Sequence, residues 1–148
     1  IDKKAGWILA MVFGGLSAYG ALTTSFVGVN AVVMIPIVKA SALLIIAIAL
    51  LSRICIPLGI QLAEKVVSKT KLSKTKQLML IAIAGSLTNT VLYVGMTVVV
   101  RMLVGVGGDQ FGILMGWAAG AVFFNGLSEA VLTAVVAPPI VSALRRIR

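Results

Sequence analysis

Long apolar runs alternate with short polar segments along the whole chain, and the runs are helix-length rather than strand-length. Residues 6–27 carry no charge and predict one helix of about 20 residues, the length that crosses a hydrocarbon core. Within it Gly6, Ala10, Gly14 and Ala18 recur at every fourth position, a stripe of small residues that lets another helix approach closely. Residues 28–63 are more broken. Pro36 and Lys39 end a short apolar run, residues 40–51 are strongly apolar, and Arg53 and Pro57 interrupt before Gln61 and Glu64. Residues 65–76 hold Lys65, Lys69, Lys71, Lys74 and Lys76 among serines and threonines, a composition that fits a solvated loop rather than a core. Residues 78–104 predict the next span, followed by a glycine-rich turn over residues 105–108 with Asp109 and Gln110 beyond it. Residues 111–144 are too long for one simple crossing and are interrupted by Asn125-Gly126-Leu127-Ser128-Glu129. An apolar helix is expected before that interruption and a second from about Ser128, with residues 112–124 an extension of the last helix or a partial insertion.

Composition turns this pattern into a solvent assignment. Hydrophobic residues are 60% of the chain and charged ones 11%, with a mean hydropathy of +1.13. A soluble domain of 148 residues cannot hide that much apolar surface, so the expected surroundings are a lipid bilayer. The 13 Lys and Arg against 4 Asp and Glu do not suggest nucleic acid, because they are not interleaved with aromatics on a polar domain. They cluster instead at Lys3 and Lys4, at the five lysines, and at Arg145, Arg146 and Arg148. Short basic segments beside membrane helices face the cytoplasm, which requires an even number of crossings between successive clusters: two or four in the first half, two in the second. The first apolar segment follows Asp2-Lys3-Lys4 without a small-residue cleavage site and is expected to be retained. The whole chain, residues 1–148, reads as one transmembrane domain with a cytoplasmic lysine-rich loop at 65–77.

The chemistry on offer is narrow. There is no histidine and one cysteine, Cys55, so neither the commonest metal ligand nor a disulfide framework is present. No phosphate-binding GxxxxGK[ST] loop, GxSxG or HExxH occurs, which leaves ATP chemistry to other subunits and gives a hydrolase no support. No metal and no cofactor are implied. Three polar constellations remain inside apolar segments, where each polar group needs a partner or a purpose. Asn89, Tyr93 and Thr97 follow Gly85 at fourfold spacing on one helix face, suited either to lining a small-molecule pocket or to hydrogen-bonding between helices. Asn125 and Glu129 are again four apart, and Glu129, the sole acidic residue of the last apolar stretch, needs a partner for which Arg101 and Arg53 are candidates. Arg101 itself is placed to snorkel to the far interface or to hold a ligand carboxylate.

Two runs carry a family resemblance. IAIAGSLTNTVLYVG at residues 81–95 resembles the fifth-helix segment of the substrate-binding S components of energy-coupling factor (ECF) vitamin transporters. FNGLSEAVLTAVVAPPIVSAL at residues 124–144 resembles the last helix of that family. Both are most similar to its pantothenate-type branch, with Ser128 where a proline is expected. The stripe Ala10, Gly14, Ala18 resembles the motif by which S components pack on the coupling subunit. The resemblance implies an all-α bundle of about six transmembrane helices in the bacterial plasma membrane, with both termini cytoplasmic. It implies a non-enzymatic subunit that binds a small water-soluble vitamin near the outer face and docks on a transmembrane coupling subunit carrying two ATPases. Facing stripes Asn89/Tyr93 and Asn125/Glu129 would hold the vitamin, with Arg101 or Trp117 at the rim. A structural subunit of a larger complex and an ion-coupled carrier with Glu129 as proton site are the readings from other classes.

Overall fold

Helix breakers divide the chain where the apolar runs end. The computed structural model describes residues 3–24, 29–105 and 108–146. Within these lie α1 (Lys3–Thr24), α2 (Val29–Ala40), α3 (Ala42–Ile54), α4 (Ile56–Val67), α5 (Lys74–Val104), α6 (Gly108–Gly120), a π-helical turn (Ala121–Gly126) and α7 (Leu127–Arg146). No strand occurs among the described residues. Residues 25–27 of the first expected span, Val106 and Gly107 of the glycine-rich turn, and Arg148 lie outside them.

Local chemistry explains the joints. Ser41 is extended, with φ −168° and ψ 125°, and its hydroxyl accepts a hydrogen bond from the Leu43 N–H, a serine cap that starts α3 immediately after α2. Pro57 falls in the first turn of α4, where its missing N–H costs nothing. Helical bonds run up to and away from the joint, Cys55 N–H to Leu51 O and Gly59 N–H to Cys55 O, both 3.1 Å. Ala42–Val67 is therefore one apolar rod. The same holds for Gly108–Ala143, since the π turn widens the helix without ending it. Residues 112–124 extend the last helix, the first of the two arrangements the charge pattern allows.

Close contacts give the direction of each rod. Gly14 of α1 meets Leu50 and Arg53 of α3, while Ala21 and Leu22 pack on the cluster that Ile45, nearer the start of α3, forms with Met34 and Ile37, so α1 and α3 are antiparallel. Gly59 of α4 meets Thr88, and Ile45 groups with Tyr93 and Val100 farther along α5, so α5 runs antiparallel to the α3–α4 rod. Gly126 meets Thr90, which brings α7 back along α5. The start of α1, the α4–α5 loop and the end of α7 consequently lie at one end of the molecule. These are the segments that carry the three basic clusters. At the far end α2 packs on α3, α5 and α6, with Met34 and Ile37 buried beside Val100 and Trp117.

The exterior is apolar. Ile8, Met11, Val12 and Leu16 on α1 and Val131, Leu132, Val135 and Ile140 on α7 are all exposed. In water each would forgo about 1.5–3 kcal/mol of burial. Three helices, Ala42–Val67, Lys74–Val104 and Gly108–Ala143, are long and apolar enough to cross a bilayer, with shorter apolar helices over Ala10–Thr23 and Asn30–Ala40. The protein is an all-helical, membrane-embedded one. The described residues form these five apolar helices where the sequence predicts about six spans. Residues 28–63 return to the starting end through the single α3–α4 rod, and α2, only 12 residues with Pro36 inside it, covers about 18 Å at 1.5 Å per residue.

Candidate functional site

Two polar centres interrupt this apolar body. The first opens at the far end, between α2 and the α6–α7 rod. Trp117 on α6 donates its indole N–H to Asn30 Oδ1 on α2 at 2.7 Å, fixing the two elements. Gly116 and Gly120 leave room beside them, and the π-helical turn presents Asn125 to the same space. The result is an open cleft of about 430 Å³ lined by Asn30, Ile113, Trp117, Ala121 and Asn125 among others. Its size is that of a small-molecule site, and its chemistry is an apolar wall with convergent amides. An extra residue per turn, as in a π bulge, commonly marks such places. Here it presents Asn125 to the cleft while Gly126, one position round the turn, seats directly on Thr90.

The second centre lies at mid-depth. Arg53 sits near the middle of the Ala42–Val67 rod, about 16 Å from its nearer end, too far for its side chain to reach an interface. Its guanidinium lies 5.6 Å from the Phe13 ring centroid and 5.4 Å from that of Tyr93, within cation–π range of both. One terminal nitrogen, Nη1, donates to Ala49 O at 3.3 Å and Ser52 Oγ at 3.0 Å. Arg53 Nε, Asn89 Oδ1 and Ser86 Oγ are buried without a hydrogen-bond partner. In an apolar medium each orphan costs on the order of 1–3 kcal/mol.

The expected site residues divide between these centres and neither. Trp117 and Asn125 line the far-end cleft. Asn89 and Tyr93 belong to the α5 face that meets α3, Tyr93 against Arg53. Thr97 is fully buried and donates its hydroxyl to Tyr93 O at 2.7 Å, so its polar group is spent within its own helix. Glu129 is exposed, and its carbonyl accepts from Thr133 Oγ1 at 2.5 Å. The expected pocket between Asn89/Tyr93 and Asn125/Glu129 does not close, because the α5–α7 seam is made by Thr90 and Gly126, one position round from each pair. Arg101 is turned into the protein at the end of α5. It is 3% exposed and donates to Gly105 O and Gln110 Oε1, tying the α5–α6 corner. The stripe Ala10, Gly14, Ala18 is buried inside the chain against α3, where a Cβ on Gly14 would stand 3.2 Å from Leu50 Cδ2. That stripe is an internal packing surface here, not one left open for another subunit.

Two contributors escaped the sequence reading. Asn30 is a lone amide in a run of valines, and Arg53 entered only as a partner for Glu129. The signal for both was the same: a polar residue inside an apolar segment, which lipid tolerates only when something meets it. The chain matches no protein-family model, no curated protein and no solved structure, so the chemistry of the site rests on these side chains themselves.

Proposed function

We propose that the chain is a membrane-embedded, non-enzymatic solute-binding subunit of an ECF-type vitamin importer in the bacterial plasma membrane, taking up a small water-soluble vitamin such as pantothenate. The far-end cleft of Asn30, Trp117 and Asn125 carries this reading. It combines an aromatic wall with two amides, at the end of the bundle opposite the lysines. With positive charge on the cytoplasmic side, this reading has the cleft at the outer face, where an importer must capture its solute, and both termini in the cytoplasm. The resemblance of residues 81–95 and 124–144 to S components points the same way. In that reading α1, α3–α4, α5 and α6–α7 cross the membrane, and α2 caps the outer end. Energy comes from two ATPase subunits through a transmembrane coupling subunit, since the chain has no nucleotide-binding loop of its own.

Two measurements test it. Purified protein in detergent is expected to gain thermal stability with one member of a panel of water-soluble vitamins. Asn125→Ala is expected to weaken that binding at least tenfold, as an unmet polar partner costs about 1–3 kcal/mol. A flat panel speaks for a structural subunit. Orientation is checked separately. The lysines between 65 and 76 are expected to react with a membrane-impermeant amine reagent in inside-out vesicles and not in intact cells. The reverse labelling would place the cleft on the cytoplasmic side and remove the import reading.

A further inference from the structure

The far-end cleft is polar without being charged. Among the described residues its polar lining consists of Asn30, Trp117 and Asn125. The cations of this end are placed elsewhere. Arg101 donates to Gly105 O and Gln110 Oε1, and Lys39 stands nine residues along α2 from Asn30, about 14 Å at 1.5 Å per residue. Glu129, one turn beyond Asn125, is a carboxylate exposed on α7 and would repel an anion rather than hold one. A solute carboxylate placed in this cleft would meet no counter-charge to replace its water.

The two amides have defined capacities. An indole N–H can only donate, so the 2.7 Å bond from Trp117 to Asn30 Oδ1 fixes which way the Asn30 amide faces. Its oxygen is taken, and the two N–H of Nδ2 have no partner among the described residues. Asn125 makes no side-chain hydrogen bond there either, so it offers both donors and an acceptor. Both amides are exposed, within reach of a molecule entering the cleft. Trp117, which holds Asn30, lies eight positions before Asn125 on the same helical rod, about 12 Å along its axis. Gly116, Gly120 and Ala121 line the cleft between them. A Cβ on either glycine would meet nothing within 4 Å, so no packing inside the protein calls for them, although glycine is less favourable than alanine within a helix. They leave a shallow floor at backbone level. An apolar helix laid on that floor would leave both amides unmet, because its own backbone groups are bonded within it. A small polar molecule meets both.

We propose that the cleft recognises an elongated solute through two uncharged groups set about two helical turns apart. A carbonyl or ring-nitrogen acceptor takes the Asn30 N–H donors, and an amide or hydroxyl pairs with Asn125. The slender middle of the solute lies on the glycine floor beside Trp117. Charge takes no part in recognition, and an acidic end of the solute stays in water at the mouth of the cleft. This rests on the importer reading and deepens it by naming what the site recognises.

The test is calorimetry on the purified protein in detergent with acids and their neutral analogues: pantothenate with pantothenol, and biotin with its primary amide. Nicotinamide serves as a neutral probe too short to span both amides. In at least one pair, acid and neutral analogue are expected to bind within about threefold of each other, with affinity unchanged between about 20 mM and about 500 mM salt. Nicotinamide is expected to bind at least tenfold more weakly. Asn30→Asp keeps an oxygen for the Trp117 N–H and removes the donors, and is expected to weaken binding about tenfold or more. Gly116→Leu is expected to fold normally and to abolish binding by filling the floor. An acid preferred tenfold or more, or an affinity that falls with salt, overturns the proposal and leaves the importer reading standing. No binding by either pair overturns it as well, and these results on the parent protein decide the matter even where Asn30→Asp folds poorly. Parental affinity in folded Asn30→Asp or in Gly116→Leu also overturns it. If Gly116→Leu changes the oligomeric state and not the affinity, the floor is a helix-docking face and the proposal falls. Binding that ignores charge and needs Asn30, in a protein that associates with no ATPase, leaves this inference standing and removes the importer.

Discussion

Gly59→Ala and Gly126→Ala are each expected to destabilise the fold by about 1–3 kcal/mol, the range for overpacking a close contact. The two glycines sit at close contacts in the seams that α5 forms with α4 and with the π turn before α7. A Cβ on Gly59 would fall onto Thr88 Oγ1 and stand 2.9 Å from Thr88 Cβ. Thr88 cannot swing away cheaply: it is β-branched, and its hydroxyl donates to Ala84 O at 2.7 Å. A Cβ on Gly126 would lie 2.7 Å from Thr90 Cγ2, and Thr90 is likewise held by its hydroxyl bond to Ser86 O at 3.3 Å. Without water to drive helices together, association in a bilayer depends on such close backbone approach. The check is specific, because the clash has a named second partner. Thr88→Ala is expected to recover most of the loss in the Gly59→Ala background, and Thr90→Ala in the Gly126→Ala background. Thermal unfolding in detergent that shows no loss in the single variants, or no recovery in the doubles, removes these contacts as the seams of the fold. Gly95, which has open space around it, serves as the control.

Arg101→Ala is expected to cost about 2–4 kcal/mol and to loosen the far end of the molecule. Hydrogen bonds from a charged donor contribute about 1.5–3 kcal/mol each way they are counted, and truncating a long buried side chain adds a cavity. The side chain closes the α5–α6 corner, where Gly105 turns the chain at φ +106° and its carbonyl accepts from the guanidinium. Gly105→Ala is expected to be harmful for the backbone reason alone, since an L residue is strained at that φ. Hydrogen exchange on the α5–α6 corner reads the effect directly. Faster exchange there, with binding affinity per folded molecule unchanged, is the expected result. A variant that keeps its melting temperature while losing solute affinity would instead make Arg101 a ligand residue.

Much of the architecture was legible because lipid imposes simple rules on sequence. Backbone groups in hydrocarbon must be satisfied internally, so apolar runs of this length had to be helices, and Pro57 and the 65–76 lysines mark where the runs are interrupted or turn. Charge placement at three basic clusters required an even return between them, and the antiparallel order of α1, α3–α4, α5 and α6–α7 satisfies it. On that ground residues 112–124 had to be an extension of the last helix or a partial insertion, and the structure makes them an extension. The polar residues at membrane depth were equally visible as exceptions: Arg53, Asn89, Asn125 and Glu129 stand out in any hydropathy profile.

Which neighbour each exception meets was settled only in three dimensions. Helical periodicity states that Asn89 shares a face with Tyr93, and that Ala10 shares one with Gly14. It is silent on the neighbour opposite, because the 3.6-residue repeat is a property of one helix and its packing partner is a property of two. A rotation of one position, about 100°, turned the α5–α7 seam to Thr90 and Gly126 and left Asn89 and Tyr93 against α3. The small-residue stripe found its partner in α3, within the same chain. Arg101 found a carbonyl and an amide nearby in sequence, while Arg53, a candidate partner for Glu129, lies against the rings of Phe13 and Tyr93. Spans, polarity and depth belong to the sequence because solvent reads them one segment at a time; partners belong to the tertiary structure because they depend on how neighbouring helices are rotated against each other.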